Sequence, residues 1–108
     1  MSLLNKEEIK AIIPHRYEML LVDEIIEKND DSIVGVLDVK KDSWFFKGHF
    51  PGEPVMPGVL MVEASAQVCA VLYLSKEENK GKIGYFGGID QVKFKHKVIP
   101  GDKLIMTI

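Results

Sequence analysis

Between residues 59 and 74 the chain runs through sixteen positions whose only clearly polar side chains are Glu63, Ser65 and Gln67. That pattern predicts a helix apolar on nearly every side, stable only when buried nearly all round. At ~1.5 Å per residue it spans about 24 Å, and three polar groups interrupt it, so it reads as a core helix of a soluble fold rather than a membrane span. Glu63 and Gln67 stand four apart and share a face, while Ser65 points elsewhere. An unpaired carboxylate on such a cylinder is costly, so Glu63 needs a partner or a task. With 108 residues, 46% of them hydrophobic, the chain makes one globular domain, and so apolar a helix needs a sheet or a second subunit to wrap it. Self-association is expected.

The approach to this helix is dense in turn residues, with prolines at 51, 54 and 57 and glycines at 48, 52 and 58. Such a stretch fixes backbone shape and places His49 on a rigid approach, fourteen residues before Glu63. Past the first helical turn the dipole has largely faded, so desolvation should leave a carboxyl that can hold and donate a proton. Imidazole titrates near neutrality and can take one. Taken singly, Glu63 can equally be a hydrogen-bonded core residue and His49 a turn residue. Together, beside a helix N-terminus able to bind an oxyanion, they favour acid and base chemistry.

A net charge of -2 and a pI near 5.9 argue against nucleic acid as the main partner. Cys69 is the only cysteine and falls on the apolar helix, which fits core packing in a reducing cytosol. Three scattered histidines lack metal-site spacing, so neither a metal nor another cofactor is expected, and His15 and His96 have no carboxylate partner evident in sequence. The N-terminus carries Lys6, Glu7, Glu8 and Lys10 where a signal peptide would be apolar, pointing to a cytoplasmic protein with no membrane association.

Asn5 and Glu8 match a capping box, and Ile9, Ile12 and Ile13 give one apolar face, predicting a short helix that runs until Pro14 stops it. The period then changes to two. Residues 19–26 and 32–40 read as strands joined by a turn at Asn29, Asp30 and Asp31. A glycine-punctuated segment spans 81–88, the alternating stretch 89–98 puts Lys93, Lys95 and Lys97 on one face, Pro100-Gly101-Asp102 is a turn, and 103–108 begins another strand. Strands following one another without regular crossover helices imply antiparallel sheet around a central helix, an α+β fold.

Four ordered blocks carry a family resemblance: PHRY at 14–17, LLVDEI at 20–25, GHFPGEPVMPGVLMVEASAQ at 48–67 and IDQVKFKHKVIPGDKL at 89–104. The chain resembles the 3-hydroxyacyl-[acyl carrier protein] dehydratases of bacterial-type fatty acid synthesis. The resemblance implies a hotdog fold, a sheet wrapped around a long central helix, with active sites in tunnels at a homodimer interface and a trimer of dimers as a further assembly. It implies that His49 of one subunit acts as base together with Glu63 of the other, and that the backbone N–H of Gly58 steadies the thioester oxygen. Phe50, Pro57, Val59, Gln67 and Tyr85 fall at tunnel positions, Tyr85 as a gate, although an aromatic in such a loop is as often simple packing. Arg16 with Lys93, Lys95 and Lys97 can dock the acidic acyl carrier protein, yet a lysine row on an edge strand also serves solubility.

Against the family pattern, Val68-Cys69-Ala70 replace small glycine-rich residues after Gln67, which bears on tunnel width, and Glu18 stands where proline is common. The single domain, 1–108, ends within a strand where relatives continue with at least one further hairpin. Three other readings stay open: a hotdog thioesterase, a dehydratase that also isomerises its product, and a non-catalytic acyl-binding subunit.

Overall fold

A computed structural model describes residues 3–79 and 97–108 of the chain. Helix α1 (Lys6–Lys10) begins at the capping box, with Asn5 Oδ1 accepting the Glu8 N–H at 2.9 Å and Glu8 Oε1 accepting the Asn5 N–H at 3.0 Å. Two N–H groups that the first turn leaves without carbonyl partners are thereby satisfied. The helix stops at Lys10, earlier than expected. In a continuing helix the Lys10 carbonyl would bond the N–H of residue 14, and Pro14 has none. Arg16 supplies the missing donor, its Nη2 bonding the Lys10 carbonyl at 2.8 Å while Nη1 bonds those of Ile13 and His15 at 2.8 and 2.7 Å.

Strands β1 (Glu24–Lys28) and β2 (Ile33–Asp38) form an antiparallel hairpin, and β3 (Lys103–Thr107) pairs antiparallel along the other side of β2. The hairpin turn follows the sequence signal, with Asn29 Oδ1 accepting the N–H groups of Asp31 and Ser32 at 2.9 Å each. Ile25 faces Gly35 and Glu27 faces Val34, so Ile26 is an extra residue that bulges the strand. Gly101 turns the chain into β3 with φ at +96°, a conformation glycine adopts without steric cost.

Residues 19–23 are not strand. Residues Tyr17–Met19 form a 3₁₀ turn, and Leu20, Leu21 and Val22 are all buried instead of alternating. Their backbone is engaged from elsewhere: the side chain of Gln67 takes the Leu21 N–H and the Met19 carbonyl, groups a strand would give to its neighbour. The glycine-punctuated stretch 81–88 and the alternating segment as far as residue 96 lie outside the described residues.

Helix α2 (Gly58–Leu74) is the long apolar helix, and it lies on β2. Ala64, Gln67, Val68, Val71 and Leu74 are buried, one face at helical spacing. Burial all round is not found within one protomer, because the sheet covers one side only: Val59 is 75% and Tyr73 58% exposed. Cys69 is also exposed, so it is not core packing for the single chain. Contact between helix and sheet is close at Gly35, where a Cβ would fall on Cγ2 of Val68, 3.0 Å from its Cγ1 and 3.3 Å from Ile25 Cδ1. Val68 and Ile25 are fully buried and have nowhere to move. Gly35→Ala should therefore lower unfolding free energy by about 1–3 kcal/mol in urea titrations, as overpacking does. Unchanged stability would mean that the helix can lift off the sheet at no cost.

Candidate active site

His49 follows a 3₁₀ turn, Trp44–Lys47, anchored by the buried rings of Phe45 and Phe46. Beyond it the chain closes a tight loop around Pro51 and Gly52. Phe50 and Glu53 exchange N–H to carbonyl bonds at 3.3 and 3.0 Å, and Val55 N–H donates to the His49 carbonyl at 2.9 Å. The same Val55 returns its own carbonyl to the ring of His49, 2.9 Å from Nδ1. A carbonyl only accepts, so Nδ1 carries the hydrogen and the neutral ring has its lone pair on Nε2. Phe50 stacks on the imidazole with centroids 4.1 Å apart. The loop thus holds His49 by its carbonyl and by its ring, which is the rigid approach the proline and glycine spacing implies.

The loop passes directly into α2. No side chain caps that helix, Leu60 and Met61 bond the Pro57 carbonyl at 3.0 and 3.2 Å, and the N–H groups of Gly58 and Val59 have no carbonyl partner among the described residues. Two amide hydrogens at a helix mouth form a site for developing negative charge.

Further into α2, Glu63 is held from two directions. Gln67 Nε2 donates to Glu63 Oε2 at 2.9 Å and to the Met19 carbonyl at 2.6 Å, while its Oε1 accepts the Leu21 N–H at 2.8 Å. All three bonds require the amide this way round, since a flip would set oxygen against a carbonyl and N–H against N–H. Gln67 is 1% exposed and the Glu63 side chain 25%, so the carboxyl stands at the edge of the core in the single chain. The same oxygen is approached by His15, whose Nε2 lies 3.5 Å from Glu63 Oε2. The structure thus gives His15 a carboxylate neighbour that was not evident in sequence. The local sequence could not reveal it, because the contact depends on the irregular path of 15–21 across α2.

Among the described residues His49 and Glu63 of one protomer make no hydrogen bond or ion pair with each other. An open groove of about 620 Å³ beside the His49 loop is lined by Trp44, Phe46, Phe50, Pro51 and Pro54, together with Lys41 and Lys47, but not by His49 or Glu63. Of the cationic row, Lys97 pairs at 3.5 Å with Glu53, both side chains exposed, and Arg16 is occupied in closing α1. Tyr85, Lys93 and Lys95 lie outside the described residues.

Residues 13–108 match the model of the FabA-like domain family. Over 105 residues the chain is 56% identical to 3-hydroxyacyl-[acyl-carrier-protein] dehydratase FabZ of Streptococcus pyogenes serotype M49, covering 97% of this chain and 75% of that protein. It is 59% identical over 100 residues to the FabZ of serotype M5, covering 93% and 72%. The chain belongs to the FabZ dehydratase family. In structure it is similar to the dehydratase heterocomplex ApeI:P from Xenorhabdus doucetiae, with a TM-score of 0.74 over 92% of this chain and 68% of that one, at 21% sequence identity. The chain therefore has the hotdog fold, its antiparallel sheet packed on a long helix.

Replacing Gln67 by leucine keeps its volume but strands the Leu21 N–H and the Met19 carbonyl in the core. Each unsatisfied group costs about 1–3 kcal/mol, so Gln67→Leu should show a clear drop in urea midpoint together with loss of activity. A variant as stable as the parent would mean that residues 19–21 find other partners.

Proposed function

We propose that this chain dehydrates (3R)-3-hydroxyacyl groups carried on acyl carrier protein to trans-2-enoyl groups, a step of fatty acid biosynthesis. One observation carries the chemistry: the bond from Nδ1 to the Val55 carbonyl leaves His49 Nε2 as a free base on a braced loop. The α-proton of a 3-hydroxyacyl thioester is acidic but reluctant, and hydroxide is a poor leaving group until protonated. His49 Nε2 takes the α-proton, and the charge that moves onto the thioester oxygen meets the N–H of Gly58 at the mouth of α2. Glu63 gives its proton to the β-hydroxyl as the carbon–oxygen bond breaks, and water leaves. The proton on His49 then returns to Glu63 through water, which restores both groups.

The reading places this base and acid on different subunits of a homodimer, three of which can assemble further. It is supported by the absence of a His49–Glu63 contact among the described residues of one chain, and by apolar side chains left outside its own core, including Val59 and Tyr73 on α2 and Ile105 on β3. Phe50, Pro57 and Val59 would then line the acyl tunnel once a second copy covers them, with Gln67 behind the acid and Tyr85 at the gate. Arg16 contributes to carrier docking chiefly by holding the 10–16 turn, beside the lysines at 93, 95 and 97. An unpaired, exposed Cys69 fits a reducing cytoplasm.

With a short 3-hydroxyacyl thioester, His49→Ala should abolish the rise in enoyl absorbance while size-exclusion elution stays that of the parent. Wild-type turnover would remove His49 as the base. Mixing His49→Ala with Glu63→Ala subunits after exchange should restore about a quarter of the parental activity, because half the dimers are mixed and one of their two sites is intact. No recovery in demonstrably mixed dimers would place base and acid on the same chain.

A further inference from the structure

We infer that His15 is a positioning residue for the acid: with Gln67 it holds Glu63 through Oε2, so that the proton Glu63 delivers sits on Oε1. This rests on the reading of Glu63 as the acid in the dehydration above.

The argument starts from the ring. His15 is three-quarters buried, its Nδ1 is fully buried with no hydrogen-bond partner, and its Nε2 lies 3.5 Å from Glu63 Oε2. A hydrogen on Nδ1 would be enclosed without an acceptor, whereas a hydrogen on Nε2 faces a carboxyl oxygen, so the ring hydrogen belongs on Nε2. His15 is then a donor. The separation is longer than a good hydrogen bond, as catalytic contacts often are before substrate binds. Gln67 donates to the same oxygen at 2.9 Å.

On the reading of Glu63 as the acid, the oxygen on which both donors converge is the carbonyl-type oxygen of its protonated carboxyl group. The O–H must be on the other oxygen, Oε1, which has no partner among the described residues. A carboxyl with free rotation would present its proton in the wrong direction part of the time, and clamping Oε2 removes that freedom. His15 is itself held: Arg16 bonds its carbonyl, and Gln67 bonds Met19 and Leu21 further along the same segment. Tyr17, between them, sits at φ 56°, a left-handed conformation unfavourable for a side chain as large as tyrosine. The path of the segment across α2 is therefore specified, and it delivers both donors to one side of the carboxyl.

The test compares His15→Leu, His15→Gln and His15→Asn with Glu63→Gln, reading kcat and KM for dehydration of a short 3-hydroxyacyl thioester and unfolding by urea. The Gln amide reaches about where His Nε2 stands, the Asn amide falls short, and Leu has no donor. His15→Leu and His15→Asn should lose roughly tenfold in kcat, the rate equivalent of one hydrogen bond between neutral groups, with KM within about twofold. His15→Gln should recover to within a few-fold of the parent, and His15→Leu should add nothing once Glu63 is already Gln. Parental kcat in His15→Leu, or equal losses in the Gln and Asn variants that follow their loss of stability, would overturn the inference while leaving Glu63 as the acid. Parental activity in Glu63→Gln would instead remove the acid itself. Should the Leu variant fail to fold, the contrast between Gln and Asn still decides.

Discussion

One buried amide ties Glu63 to the rest of the molecule. Gln67 uses its two hydrogens and its oxygen at once, on Glu63, the Met19 carbonyl and the Leu21 N–H. Each bond alone is worth little net stability, yet leaving any of these groups unmade in the core is expensive, so the network forms as a unit. It converts a stretch that the alternation of residues marks as strand into an irregular path, and that path brings His15 to the carboxyl. Glu63 is thus held by side chains from a helix and from a segment far away in sequence, rather than by its own helix alone.

The second candidate residue is arranged by a different device. His49 is held almost entirely by main chain: a loop that bonds itself at Phe50 and Glu53, and a reciprocal pair of bonds with Val55, one from the backbone and one from the ring. Main-chain bonding leaves the side chains of the loop free to serve other ends, and Phe50 uses that freedom to stack on the imidazole and to line the neighbouring groove. His49 and Glu63 are therefore set by two independent local structures that share only the junction into α2. Such a division would suit the two-subunit site proposed above, each half being shaped on its own chain.

What could be read from the residues follows from the range of the interactions concerned. The capping box at Asn5, the turn at Asn29, the turn at Gly101 and the extent of α2 are local, and each carries its signal within a few residues. The GHFP block likewise marked both candidate catalytic residues, because the bracing of His49 is written in the prolines and glycines around it. The segment 19–23 could not be read, since the donor and acceptor that replace its strand partners come from Gln67, separated from Leu21 by 46 positions. Hydrophobicity along α2 announced burial without saying by what, so the exposed positions Val59, Cys69 and Tyr73 emerge only once the sheet is seen to cover a single face.

Gly35 gives this arrangement its dimensions. By withholding a methyl group at the point where β2 meets Val68, it lets the whole cylinder settle closer to the strands. Glu63 and Gln67 ride on that cylinder, and the chain they must reach at Met19 and Leu21 leads directly into the hairpin of which Gly35 is part. The reach of the clamp on Glu63 is therefore gauged by an atom that is missing, at a position far from the carboxyl itself, and a family member with a bulkier residue there would have to reset both ends of the gap together.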